Sequence, residues 1–249
     1  MNKKVKGFTL IEAMLSVALF GIAMLILFGA ANTFFKAWKK HDAKQNAHRE
    51  LVKIYSSINR EFSLTNTGFF SYYKAKDAPE HLSDKRWFLF PVPTDQDNTY
   101  QCDGDGAIYW TRIMIYYLLR PENDSCSSAE CCPHKSLIKT SYYFKSPVSL
   151  SYGDETPLDI LISRVSEVLL RPGSNFPEID GLTFLGSRTL AQDIFDISVT
   201  FEKKGRADFG VKIVRIEEAQ KAVGVGKTDF TSKNGARYIE SLSWKAFAK

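Results

Sequence analysis

From Ala13 to Phe35 the chain runs 23 residues without a charged side chain, and no other feature constrains its fold as tightly. As a helix this stretch is about 35 Å long at 1.5 Å per residue, enough to cross a bilayer core of roughly 30 Å. Lys3, Lys4 and Lys6 form a basic head before it. Lys36, Lys39 and Lys40 close it, with Trp38 suited to the lipid–water interface. Basic residues at both ends leave the orientation undecided by charge.

Glu12 stands at the head of this run. A carboxylate there costs a few kcal/mol to insert into lipid unless it is paired, which makes it a functional candidate. A cleaved signal peptide, cut near Gly29-Ala30-Ala31, would account for the basic head and the apolar run. So would a plain signal anchor. Neither accounts for Glu12.

The stretch Lys6-Gly7-Phe8-Thr9-Leu10-Ile11-Glu12 resembles the prepilin signature of type IV pilins and type II secretion pseudopilins. The resemblance implies cleavage by a prepilin peptidase between Gly7 and Phe8, N-methylation of Phe8, and an assembly role for Glu12. In the family that acid neutralises the terminal ammonium of a neighbouring subunit within an apolar bundle. The resemblance covers residues 1–60 closely and the remainder in outline. Body size and strand order are loosely similar to J-type pseudopilins and W-type minor pilins. Within them, Ile113-Met114-Ile115-Tyr116-Tyr117-Leu118-Leu119-Arg120 resembles the strand after which those proteins place a hairpin.

Past Lys36, Leu51, Ile54, Ile58 and Phe62 recur at spacings of three and four and mark one helical face. No proline occurs before Pro79, so one helix is expected from about Phe8 to about Thr65, with the Gly68 region as its stop. Its first half is apolar all round and its second half amphipathic. Strands are expected at Trp87–Val92, Ala107–Leu119, Leu137–Phe144 and Tyr238–Phe247. A hairpin joins Ile194–Phe201 to Phe209–Ile216 around Lys203-Lys204-Gly205-Arg206. Thr156-Pro157 suits a helix start, and Leu158, Leu161, Ile162, Val165 and Leu169 have helical spacing, with a strand as the alternative. The fold class is α+β, a pilin-like long helix packed on an antiparallel sheet. Its parts are a leader (1–7), a transmembrane and filament-core helix (8–35), an amphipathic continuation (36–65) and a β-rich body (66–249).

The four cysteines, Cys102, Cys126, Cys131 and Cys132, suit disulfides if the body reaches an oxidising compartment. Adjacent Cys131 and Cys132 are poorly placed to bond to each other. One each to Cys102 and Cys126 is the natural arrangement, with the pairing open. With His134 the same cluster could hold zinc, but the spacing is not that of a finger or ribbon. Asp95, Asp97, Asp103 and Asp105 suggest calcium. An EF-hand counted from Asp95 or Asp103 would need a carboxylate where Gly106 or Met114 stands, so a polar turn is expected.

Lys3, Lys4 and Lys6 supply three of the net +5, which leaves +2 for the rest and little case for nucleic acid. Lys36, Lys39, Lys40 and Lys44 read as a solvated helix face at the bilayer surface, and the tip of the hairpin (Lys203, Lys204, Arg206) as outward-facing turn charge. His41, His48, His81 and His134 are scattered, and no nucleophile elbow, phosphate loop or His-Glu-x-x-His occurs. No enzyme activity, cofactor, metal or small-molecule substrate is expected.

The resemblance implies a minor pilin or pseudopilin in the inner membrane, single-pass, with its body in the periplasm or on the cell surface. Its partners are the peptidase and other pilin subunits. The alternative is a membrane-tethered binding module, an adhesin or DNA receptor, that uses a pilin-type export signal.

Overall fold

Gly21 and Gly29 are the only glycines between residues 10 and 62, and no proline interrupts them, so the chain takes that span as one α-helix, α1 (Leu10–Phe62). The computed structural model describes residues 9–65, 87–95, 99–102, 104–105, 109–120, 135–148, 157–168, 170, 172–202, 206–215 and 238–247. The expected start at Phe8 and stop near Gly68 lie outside these residues. After Phe62 the chain leaves the helix through tight turns, with Leu64 N donating to Glu61 O at 3.2 Å and Thr65 N to Phe62 O at 3.0 Å.

The chain divides into two compact units, one up to Gln45 and one from Asn46. In the first, the described side chains are almost all exposed, including Leu10, Ile11, Val17, Leu25 and Phe28. An apolar helix with nothing packed on it is the composition of a membrane span, not of a soluble core helix.

The second unit is a six-stranded sheet with the remainder of α1 on one face. Its strands are β1 (Trp87–Val92), β2 (Trp110–Leu119), β3 (Lys135–Val148), β4 (Leu182–Glu202), β5 (Arg206–Arg215) and β6 (Tyr238–Phe247). They lie in chain order and every neighbouring pair is antiparallel. The α+β class and the helix-on-sheet arrangement are as expected. Strands β1 and β6 match their expected bounds. Strand β3 is longer at both ends than Leu137–Phe144, and at its start Lys135 Nζ donates to Phe195 O at 3.0 Å.

Alternation along the strands sends side chains to two cores. On the helix side, Ala47, Leu51, Ile54, Ile58 and Phe62 meet Phe88, Phe90, Met114, Tyr116, Phe209 and Val211. The expected helical face is the buried one, with Ala47 added a turn earlier. Phe62 is the focus, edge-on to Phe90 at 5.7 Å and to Phe209 at 5.3 Å. On the other side, Trp87, Leu89, Ile113, Ile115, Tyr142 and Phe144 pack with Leu161 and Val168. The last two belong to short helices α2 (Pro157–Ser163) and α3 (Val165–Val168), so the helical reading of that segment holds against the strand. The turn at Arg164 divides what was expected as one helix; Thr156 and Leu169 lie outside the described residues.

The largest departure is β4. A strand was expected only from Ile194, but it begins at Leu182, after a turn through Asp180 and Gly181 closed by Leu182 N on Ile179 O at 3.0 Å. Residues 182–194 pair with β3 and residues 194–202 with β5. Asp193, at a positive φ of 57°, marks the changeover, where the register shifts. Asp is one of the few non-glycine residues that tolerates this conformation.

Candidate functional site

The head of α1 is organised by Thr9 and Glu12. Thr9 N donates to Glu12 Oε2 at 2.9 Å, Thr9 Oγ1 donates to the same oxygen at 2.9 Å, and Glu12 N donates back to Thr9 Oγ1 at 3.3 Å. This is a reciprocal capping box, Thr at the cap and Glu three residues on, which satisfies amides that the first turn leaves unpaired. Such caps are worth about 1 kcal/mol. A negative carboxylate is also well placed against the positive end of the helix dipole. The Thr9-x-x-Glu12 spacing was legible in the sequence, yet Thr9 was not singled out. Lower down, Ser16 Oγ donates to Glu12 O at 2.8 Å and Thr33 Oγ1 to Gly29 O at 2.9 Å, so both hydroxyls are satisfied within the helix.

The body holds a second polar constellation that was not expected. Glu61, in the last turn of α1, is 6% exposed, and Lys139 of β3 is 8% exposed. Lys139 Nζ donates to Glu61 Oε1, and Tyr116 Oη donates to Glu61 Oε2 at 2.5 Å. Ser57 Oγ lies 3.4 Å from Tyr116 Oη. Burial, then the adjacent Glu61 carboxylate, push the Tyr116 phenol well above its ordinary value, which keeps it a donor. Burial lowers Lys139, and Glu61 offsets part of that. The group ties helix to sheet.

Of the other expected residues, Gly7, Phe8, Cys126, Cys131, Cys132, His81 and His134 lie outside the described residues, as do Asp97, Asp103, Gly106, Lys203 and Lys204. Cys102 is exposed and forms no disulfide among the described residues. His41, His48 and Lys36, Lys39, Lys40 and Lys44 are exposed on α1. The Asp95 carboxylate closes a polar turn, accepting from Thr99 N at 2.8 Å and Gln101 Nε2 at 2.9 Å. Arg206 differs from expectation: it does not project from the hairpin tip but opens β5, half-buried, with Nε 3.4 Å from Asp208 Oδ1. Among the described residues no three His, Cys, Asp or Glu side chains converge as a metal site would require.

Residues 2–28 match the family model described as the prokaryotic N-terminal methylation motif. The match takes in Gly7, Phe8, Thr9 and Glu12 and the apolar run as far as Phe28. It supports the resemblance to type IV pilin-like proteins and pseudopilins and gives the chain a pilin-type export signal. No curated protein and no solved structure matches the chain.

Proposed function

We propose that the chain is a minor pilin or pseudopilin, a structural subunit of a type IV pilus or type II secretion pseudopilus rather than a catalyst. Residues 1–7 are its leader, removed by prepilin peptidase between Gly7 and Phe8, and Phe8 becomes the methylated N-terminus. The helix then leaves the inner membrane for the filament, where Glu12 meets the terminal ammonium of a neighbour, and the body faces the periplasm or the outside. The observation that carries this reading is the methylation motif over residues 2–28, continuous with a helix whose apolar side chains find no partner within their own unit. Such a surface requires lipid or other helices.

Mass spectrometry of the native N-terminus tests it. The expected chain begins at Phe8 and carries one added methyl group. A mature chain beginning at Met1 or at Asn32 would sink the proposal, since those are the products of an uncleaved anchor and of an ordinary signal peptide.

A further inference from the structure

The helix-facing side of the sheet turns polar at one place. There Lys53 and Arg60 of α1, Arg112 of β2, Lys139 of β3 and Arg188 of β4 line two clefts of about 360 and 380 Å³ that share Arg60 and Arg188. Lys53 is paired with Glu50 at 3.9 Å and Arg112 is drawn by Asp95, and among the described lining residues the one carboxylate is Glu61. Both oxygens of that acid are already engaged, by Lys139 and by Tyr116.

The sheet register makes the imbalance sharper. Lys139 and Arg188 sit directly opposite each other on β3 and β4, an arrangement that destabilises a sheet when the charges are alike. Glu61 compensates Lys139. Arg188 has no hydrogen bond or ion pair among the described residues and is exposed. Arg60 reaches Glu61 only at 3.7 Å with its side chain 69% exposed. Arg112 is held in place by Thr94, whose carbonyl accepts from Nε at 2.7 Å. The guanidinium groups of Arg60 and Arg188, beside serine hydroxyls, match carboxylates, which they bind through paired parallel hydrogen bonds.

We propose that these clefts bind an acidic peptide segment of a partner protein, with two carboxylate side chains entering side by side and Arg60 and Arg188 between them. Charge complementarity argues for an anion. The lining argues against a nucleic acid strand, because among the described residues that form it there is no aromatic ring on which a base could stack. The site lies wholly in the body and is independent of leader cleavage.

The test uses the full chain in neutral detergent micelles and a fluorescein-labelled hexapeptide with two adjacent aspartates, read by fluorescence anisotropy at low salt. Saturable binding is expected, and R60E/R188E should weaken it roughly tenfold or more, the loss of one well-formed charged contact at about 1.4 kcal/mol per tenfold. The R60Q/R188Q pair, which avoids a new acid beside Glu61, should show a smaller loss in the same direction. K39E/K40E should leave binding unchanged, and the peptide with asparagines should not bind. Circular dichroism checks that each variant is folded. Binding within twofold of the parent in both arginine pairs overturns the proposal, as does equal binding of the asparagine peptide. An oligothymidylate that binds more tightly than the peptide through the same arginines overturns the acidic-peptide assignment.

Discussion

Glu61 shows how a single side chain can hold two elements together. Its carboxylate is buried, and Lys139 and Tyr116 both donate to it. Replacing Lys139 by Met removes the nearest cation and leaves Tyr116 as donor and Arg60 at 3.7 Å, at an expected cost of about 1.5–3 kcal/mol in a denaturant melt. Glu61→Gln combined with Lys139→Met should recover a substantial part of the loss; equal losses in the two variants would show that the ion pair is not the tie. Burial also raises the phenols of Tyr116, Tyr117 and Tyr142 above the ordinary value of 10.0. The folded chain therefore keeps these protons when the unfolded chain has lost them. Stability should fall as pH rises past about 10, by up to about 1.4 kcal/mol per pH unit for each tyrosine. Lys139 acts in the opposite sense: lowered by burial, it is least favourable while the unfolded lysine is charged, and that penalty fades as pH approaches 10.5. Three tyrosines outweigh one lysine, so a melting midpoint that stays level from pH 9 to 11.5 would contradict this account.

Elements were legible where a residue's neighbours in sequence are also its physical context. The 23-residue uncharged run and the three-and-four spacing of Leu51, Ile54, Ile58 and Phe62 are local patterns, and α1 follows them. Strand β4 was half missed because residues 183–189 do not alternate in burial: Phe184 and Leu185 are both partly exposed, and Gly186, Ser187 and Arg188 face polar surroundings. Its start depends on the Asp180-Gly181 turn, where Gly181 takes a φ of +74°. Gly181→Ala puts a side chain in the left-handed region and should cost about 1 kcal/mol or more, measured by equilibrium unfolding; an unchanged midpoint would mean that the turn does not constrain β4. Glu12 stood out because a charge in an apolar run is anomalous within ten residues. The Glu61 cluster and the arginine clefts could not be seen that way, since Lys139 lies 78 residues from Glu61 and Arg188 lies on the unrecognised half of β4.

At the scale of the whole molecule, the proposed filament role puts the decisive contact outside the chain. Glu12→Val keeps the apolar run and leaves Gly7 and Phe8 intact, so cleavage should proceed normally. Incorporation into a filament should drop severalfold or more, read by shearing the filaments and quantifying the subunit by immunoblot. Normal incorporation would remove the pairing role from Glu12. The body has its own mechanical logic. Because β4 bonds to β3 with one half and to β5 with the other, two arcs of sheet are joined in series at Ile194. The backbone crosses that joint once, and the ring of Phe62 clamps it by touching Phe90 on one side and Phe209 on the other. A pull on α1 would therefore be shared between both arcs through the Phe62 ring.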